Sequence, residues 1–561
     1  MRTPPSSSRS PFRALLLSGA LLLSCAHAGG PSPSTSSDAM ARSRQVRVQV
    51  LALNDFHGHL APPPGSSGEL RTGLTKVKAG GASFLARHLA NLRATNPNTV
   101  VVAAGDLIGA TPLVSALFHD EPTLEAMNLM GLDLAAVGNH EFDEGTTELQ
   151  RMQSGGCHPV DGCQDGTPFA GARFRYLAAN VRTPQGATLF PPYAVREFEG
   201  VKVAFIGMTL EGTPEIVDAS GIVGLQFRDE VETVNALVPE LKRQGVEAIV
   251  VVVHEGGNQS GLYDGCEGIS GPIVDIVKGV DKAVDVFVTG HTHQAYNCVI
   301  DGKRVTSGAS YGRLITDIDL VLDAATGDVV EATAHNVPVT QDVERVPEVQ
   351  ALVDRYDTLS APLRERVLGR VTAPLRQPNA KEWPSGESPL GNALADALLE
   401  ATKDAGSQVA FMNPGGIRGE LDAGDVTYGE AFTLQPFGNA LVTMTLTGAQ
   451  LRTLLEQQWE GSHARVLQPS RGFSYTWKAS APLGQRVDPA SPRLNGQPID
   501  PAGRYRVTVN SFLASGGDGF RVLAEGTERR GGMVDVDALE AWLKSHSPRT
   551  PPETNRITRV E

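Results

Sequence analysis

The sequence predicts an α/β protein of two lobes, and three observations predict it. Five runs rich in Val, Ile and Leu (46–53, 100–104, 132–137, 249–253 and 284–289) each end in turn residues, the pattern of buried strands. At 561 residues the chain exceeds what one hydrophobic core usually supports. Beyond residue 367 the pattern alternates again: 441–446 is β-prone, and 449–459 places Leu451, Leu454, Leu455 and Trp459 on one helical face. With 41% hydrophobic and 20% charged residues, the composition is globular.

The N-terminus carries Arg2, Arg9 and Arg13 before an apolar stretch at 14–24, too short to span a membrane and shaped like an export signal. Residues 1–24 are therefore expected to be a signal peptide. Two cleavage readings compete: Leu22-Leu23-Ser24-Cys25 resembles a lipobox, and Ala26-His27-Ala28 fits ordinary small-residue cleavage. Cysteine arithmetic favours the lipid anchor at Cys25. Using Cys25 leaves an even set, Cys157, Cys163, Cys266 and Cys298, suited to two disulfides in an oxidising compartment. Pairing within 157/163 and 266/298 is favoured, though sequence does not fix it. Residues 25–44 read as anchor site and flexible Ser/Pro/Gly spacer. Loss of 1–24 removes three positive charges, taking the net charge from −14 to −17. Such acidity argues against a nucleic-acid polymer as partner, and not against a small nucleotide.

Residues 45–343 form the first expected lobe, in which the apolar runs lead into Asn54-Asp55-Phe56-His57, Gly105-Asp106, Gly138-Asn139-His140-Glu141, His254-Glu255 and Gly290-His291-Thr292-His293. Singly, such a His or Asp is more often structural; repeated at comparable strand ends, they point to one two-metal hydrolytic site. Residues i and i+2 at a strand end point the same way, so Asp55 and His57 can share an ion. Asp106, left accessible by Gly105, suits a bridging carboxylate. Asn139 offers an amide oxygen, while the adjacent His140 points elsewhere and is free to face substrate. His254, His291 and His293 complete a nitrogen and oxygen set that suits zinc, manganese or cobalt over calcium.

Residues 344–367 are expected to form a polar helix joining the lobes, 368–553 a smaller substrate-binding domain, and 554–561 a tail. Three loops of the second lobe stand out. In Asn413-Pro414-Gly415-Gly416-Ile417-Arg418, Gly416 permits close backbone approach and Arg418 can clamp an anion. The segments 435–439 and 512–520 place Phe437 and Phe512 beside turns, where an aromatic ring can face a planar ligand.

On these residues the chain resembles the bacterial 5′-nucleotidase/UDP-sugar hydrolase family, a calcineurin-like metallophosphoesterase domain followed by a nucleotidase C-terminal domain. The resemblance covers about 46–320 and 369–523. It implies an N-terminal four-layer β-sandwich flanked by helices. It also implies one ion on Asp55, His57, Asp106 and His293, a position often Gln in relatives, and another on Asp106, Asn139, His254 and His291. It further implies that His140 stabilises charge on the phosphoryl group, oriented by Asp143, and that Phe437 and Phe512 sandwich a base while Asn413, Arg418 and Asp518 hold base, ribose or phosphate. An Arg common in relatives before the Glu387-Ser388-Pro389-Leu390-Gly391-Asn392 segment is replaced by Pro384-Ser385-Gly386. The expected activity is nucleotide phosphate-ester hydrolysis outside the cytoplasm. A cyclic-nucleotide phosphodiesterase, a thiosulfohydrolase and a non-catalytic nucleotide-binding lipoprotein are the alternatives.

Overall fold

The computed structural model describes residues 44–561 apart from Asp218, Pro378, Ala380, Ser462 and His463. The expected signal peptide, the Cys25 anchor and nearly all of the spacer lie outside the described residues. No described helix is long and apolar enough to cross a membrane.

Two six-stranded sheets pack face to face in the first lobe. One runs in the order Val329–Pro338, Leu314–Asp323, Gln45–Leu53, Thr99–Ala104, Leu134–Ala136, Arg175–Leu177; the other runs Ala295–Ile300, Lys303–Gly308, Val286–Thr289, Ala248–His254, Val201–Thr209, Tyr193–Phe198. Side chains alternate across each strand, so a strand covered on both sides must be apolar throughout. The second half of Gln45–Leu53 shows this: Val50 and Ala52 enter the core between the sheets, whereas Leu51 and Leu53 pack outward under helices. Helices Ala82–Arg93, Glu121–Met130 and Gly145–Ser154 cover the first sheet through Leu85, Met127 and Leu149. Helices Glu230–Arg243 and Pro272–Gly279 cover the second through Val234, Val238 and Ile273. The result is the expected four-layer sandwich.

Parallel pairing then positions the site. Gln45–Leu53, Thr99–Ala104 and Leu134–Ala136 are mutually parallel, as are Val201–Thr209, Ala248–His254 and Val286–Thr289. Loops leaving their C-terminal ends emerge on one rim. An aspartate fixes one strand start in each sheet: Asp133 accepts the N–H of Val101 at 2.8 Å, and Asp285 that of Ile249 at 2.9 Å. The disulfides Cys157–Cys163 and Cys266–Cys298 form in the favoured pairing.

Helix Pro347–Arg364 occupies the expected junction, yet it is not polar all round. Val349, Val353 and Tyr356 are buried against the first lobe. Beyond it, a mixed sheet runs in the order Gln468–Pro469, Val409–Met412, Arg504–Asn510, Ala440–Thr447, Thr527–Val534. Helices Pro389–Ala401 and Asp535–Ser545 pack on one face, and Gly448–Gln457 on the other. The expectation of a tail at 554–561 needs correction. Ile557–Val560 pairs in parallel with Phe473–Lys478, and the guanidinium of the buried Arg556 meets Asp396 at 2.8 Å. Glu387, fully buried, accepts the N–H groups of Arg556 at 3.1 Å and Ile557 at 2.9 Å. A four-residue strand of mixed polarity carries no periodicity of its own; its partner strand and Glu387 supply the order.

Candidate metal centre and substrate pocket

The rim loops bring Asp55, His57, Asp106, Asn139 and His254, all buried, and the half-buried His291 and His293 into one cluster. Candidate ligand atoms of Asp55, His57 and His293 lie within 4.8 Å of one another, as do those of Asp106, His254 and His291. Asp106 Oδ2 links the groups, 3.6 Å from His57 Nε2 and 3.0 Å from His254 Nε2. Asn139 Oδ1 is 3.1 Å from both His254 Nε2 and His291 Nδ1. Packing is tight enough that a Cβ on Gly138 would fall 2.2 Å from Asp106 Oδ1, so only glycine fits beside that carboxylate. Asp55, His57, Asp106, His291 and His293 all have φ between 45° and 69°, the left-handed region that side chains rarely adopt. Such strain clusters at functional sites, where surrounding structure holds it.

The donor chemistry fits divalent cations. His57 Nδ1–H donates to Gly109 O at 2.8 Å and His254 Nδ1–H to Ala104 O at 2.7 Å, so each ring turns its Nε2 lone pair inward. There His57 Nε2 meets His293 Nε2 at 3.1 Å, and His254 Nε2 meets the oxygens of Asp106 and Asn139. Imidazole nitrogens and carboxylate or amide oxygens packed this closely need a proton or a cation shared among them. Between protein groups alone, burial works against charge on His254, yet the neighbouring Asp106 carboxylate raises it to about 10. A proton there occupies the place of a cation. Burial pushes Asp55 up to about 7, with Asp106 adding to the rise. Burial likewise drives His57 and His293 well below the usual imidazole range.

His140 stands outside the grouped ligand atoms, its ring edge-on to His57 with centroids 5.1 Å apart. Its Nδ1 lies 2.8 Å from Asp143 Oδ2, and its backbone N–H donates to Asp106 Oδ1 at 3.0 Å. Burial opposes a charged His140, but Asp143 and Asp106 hold its value above that of free imidazole. The second lobe reaches this ring: Phe437 stacks on His140 with centroids 5.6 Å apart and planes 15° apart. Arg418 sits over Phe437, 5.7 Å from ring centre to guanidinium carbon, and its charge helps depress His57, His291 and His293. Asn413 donates to Asp518 Oδ2 at 2.7 Å and accepts from Asn510 at 3.0 Å. A Cβ on Gly416 would lie 2.8 Å from Asn413 Oδ1, which ties that glycine to the same loop. Phe512 stands over Gly517, whose added Cβ would fall 2.4 Å from the ring.

Residues 48–295 match the calcineurin-like phosphoesterase family and residues 367–525 match the 5′-nucleotidase C-terminal domain. The chain belongs to the 5′-nucleotidase family. The crystal structure of a 5′-nucleotidase precursor from Thermus thermophilus superposes with a TM-score of 0.75 at 28% identity, over 92% of this chain and 99% of that one. An endonuclease of Bacillus subtilis is 34% identical over 90% of this chain and 40% of its own length. A cell wall protein of Listeria monocytogenes is 32% identical over 88% of this chain and 66% of its own. The chain thus spans about two fifths to two thirds of these two relatives. Family membership implies divalent metal ions at the phosphoesterase rim.

Within this nucleotidase frame, several side chains that sequence reasoning passed over support the site. Glu141 accepts the N–H groups of Asp106, Leu107 and Gly138 at 2.9, 2.8 and 2.6 Å, tying two rim loops together; burial, then Asp106, pushes it up to about 7. Asn54 donates to Asp55 Oδ2 at 2.6 Å and fixes that carboxylate. Tyr311 stacks on His59 at 3.9 Å beside His57 and His293. In the second lobe Arg465 approaches Asp518 at 3.7 Å. Glu141 stands next to His140 in the sequence, but nothing there marks the three N–H groups it receives. The Arg465 contact spans 53 residues and is equally unmarked.

Proposed function

We propose that this chain is an exported, divalent-metal-dependent nucleotidase that hydrolyses nucleoside 5′-monophosphates to nucleoside and phosphate, with di- and triphosphates or UDP-sugars as further substrates. Asp55, His57, Asp106 and His293 hold one cation, and Asp106, Asn139, His254 and His291 the other. Two divalent cations supply there what a phosphate anion needs, charge neutralisation and water made nucleophilic at neutral pH. The chain's own groups do the rest. His140, held protonated by Asp143, meets charge that builds on the phosphoryl or leaving oxygen. Arg418 adds a fixed positive charge from the second lobe. Phe437 and Phe512 accept the base between them, and Asp518, positioned by Asn413 and Arg465, receives the ribose hydroxyls.

The observation that carries this reading is the Phe437–His140 stack, because it sets an aromatic subsite of one lobe directly against the reacting end of the other. An aromatic platform suits a planar base and has no use in a thiosulfohydrolase. Two disulfides and the Listeria relative's designation as a cell wall protein support export. The test is phosphate release across nucleoside mono-, di- and triphosphates, UDP-sugars, 2′,3′-cyclic nucleotides and single-stranded DNA, with chelator and with manganese, zinc or cobalt restored. Metal-dependent release fastest from 5′-nucleotides is expected. Preference for cyclic nucleotides or DNA would reassign the substrate, and no release from any of them would make the chain a binder.

A further inference from the structure

The turn between Lys303–Gly308 and Leu314–Asp323 lays one aromatic side chain along a single half of the rim cluster. Its backbone is tied to both ligand-bearing loops: Ala309 N–H donates to Gln294 O at 3.0 Å, Asn54 donates to Ala309 O at 2.5 Å, and Tyr311 N–H donates to Asp55 O at 2.7 Å. There Tyr311 has φ of 63°, a strained backbone that these bonds hold in place. Its ring meets His57 edge-on, with centroids 6.0 Å apart and planes at 66°, and His293 edge-on at 5.5 Å and 77°. The same ring stacks on His59 at 3.9 Å, and the Arg313 guanidinium carbon lies 5.5 Å from its centre. Tyr311 therefore touches Asp55, His57 and His293, the whole of one ligand group, and among the described residues its ring meets no imidazole of the other.

We propose that Tyr311 is a positioning residue for one cation only: it holds His293 in its ligating orientation, so the cation on Asp55, His57 and His293 is tuned separately from the one on Asn139, His254 and His291. The inference rests on the two-cation reading of the rim. A ligating imidazole needs its ring fixed, and the usual device is a hydrogen bond from the nitrogen that faces away from the metal. His57 and His254 have that bond, to the carbonyls of Gly109 and Ala104. Among the described residues His293 has none: its Nε2 lies 3.1 Å from His57 Nε2 and 3.5 Å from Asp55 Oδ1, and no acceptor meets its Nδ1. Its side chain is 27% exposed, so burial does not confine it either. What confines the ring is Tyr311 on one side and His57 on another, 5.0 Å away at 58°. Edge-to-face contact sets the relative planes of two rings, and so does by packing what a carbonyl does for His57. The wall is itself held. His59, stacked on Tyr311, donates through Nδ1 to His57 O at 2.8 Å, which ties the stack to the ligand loop. His291, in the other group, has Nδ1 3.1 Å from Asn139 Oδ1 and does not depend on this wall.

The experiment titrates cobalt(II)-loaded full-length protein with a chelator and reads metal per chain together with the visible spectrum. Wild type is compared with Tyr311→Phe, Tyr311→Ala, His293→Ala and the Tyr311→Ala, His293→Ala double variant. Wild type should hold about two equivalents. Tyr311→Ala should release one of them at roughly 10–100-fold lower chelator and keep the other as in wild type, the retained equivalent showing that the variant is folded. Tyr311→Phe keeps the ring and should titrate like wild type. His293→Ala should lose the same equivalent and the same spectral component, and adding Tyr311→Ala to it should cost nothing further, because both substitutions remove one interaction. A wild-type chelator curve for Tyr311→Ala, loss of both equivalents together, a Tyr311→Phe curve matching that of Tyr311→Ala, or a full additional loss on the His293→Ala background would overturn the assignment. A wild type that holds fewer than two equivalents would sink the two-cation reading itself, and the role of Tyr311 with it.

Discussion

His140 and His254 stand on the same rim and use their rings in opposite ways. His254 anchors Nδ1 on the Ala104 carbonyl and aims a lone pair into the cluster, whereas His140 anchors Nδ1 on a carboxylate and faces the second lobe. Two substitutions therefore give different phenotypes. His140→Ala should lower kcat roughly 10²–10⁴-fold with metal content unchanged, the range for losing a positioned acid. His254→Ala should lose bound metal. Metal analysis beside steady-state kinetics separates them, and metal loss from His140→Ala would make His140 a ligand. Glu141 acts one step further out. Its carboxylate holds three N–H groups of the loops carrying Asp106 and Asn139, so Glu141→Ala frees those loops. Metal affinity should fall roughly 10–100-fold, as for other groups that orient ligands, and chelator competition measures it. The residues gathered in the rim cluster were legible because each follows an apolar run. Glu141, Asn54 and Arg465 were not, because their partners are set by tertiary packing.

At the scale of elements, Val/Ile/Leu runs made the parallel strands legible, since a strand covered on both faces has no polar positions to hide it. The closing strand Ile557–Val560 escaped because its residues match no period, and the buried Arg556–Asp396 pair fixes it. Asp285, at the start of Val286–Thr289, shows what such positioning costs. It binds the Ile249 N–H, yet burial raises its pKa from 3.8 to about 7. A carboxyl whose folded value exceeds its unfolded one binds more protons in the native state between those values. Its contribution is therefore present below pH 3.8 and is lost as pH rises towards 7. Asp285→Asn keeps an oxygen for Ile249 and cannot ionise. The Tm of the variant relative to wild type should rise across that window, by thermal melts at stepped pH; a constant difference would show that Asp285 titrates normally.

For the whole molecule, the proposed function divides chemistry from selection between lobes that meet where Phe437 covers His140 and Arg418 adds charge to the imidazole cluster. This division has separable consequences. A generic aryl phosphate needs the rim and Arg418 but not a base platform, whereas a nucleotide uses all three. In the Phe437→Ala, Phe512→Ala double variant, kcat/KM for nucleotides should fall through the loss of two stacking faces at about 1–3 kcal/mol each. That range corresponds to at least about 25-fold overall, since 1.4 kcal/mol is a factor of ten. Turnover of the aryl phosphate should stay near wild type. Arg418→Ala should instead weaken both substrates, mainly in KM, because a monoanionic or dianionic phosphate is common to both. The pair of variants thus distinguishes base recognition from phosphate recognition within one assay. Parallel losses on both substrates in the double phenylalanine variant would mean that the aromatic residues only hold the lobes together, and that substrate choice resides at the metal rim.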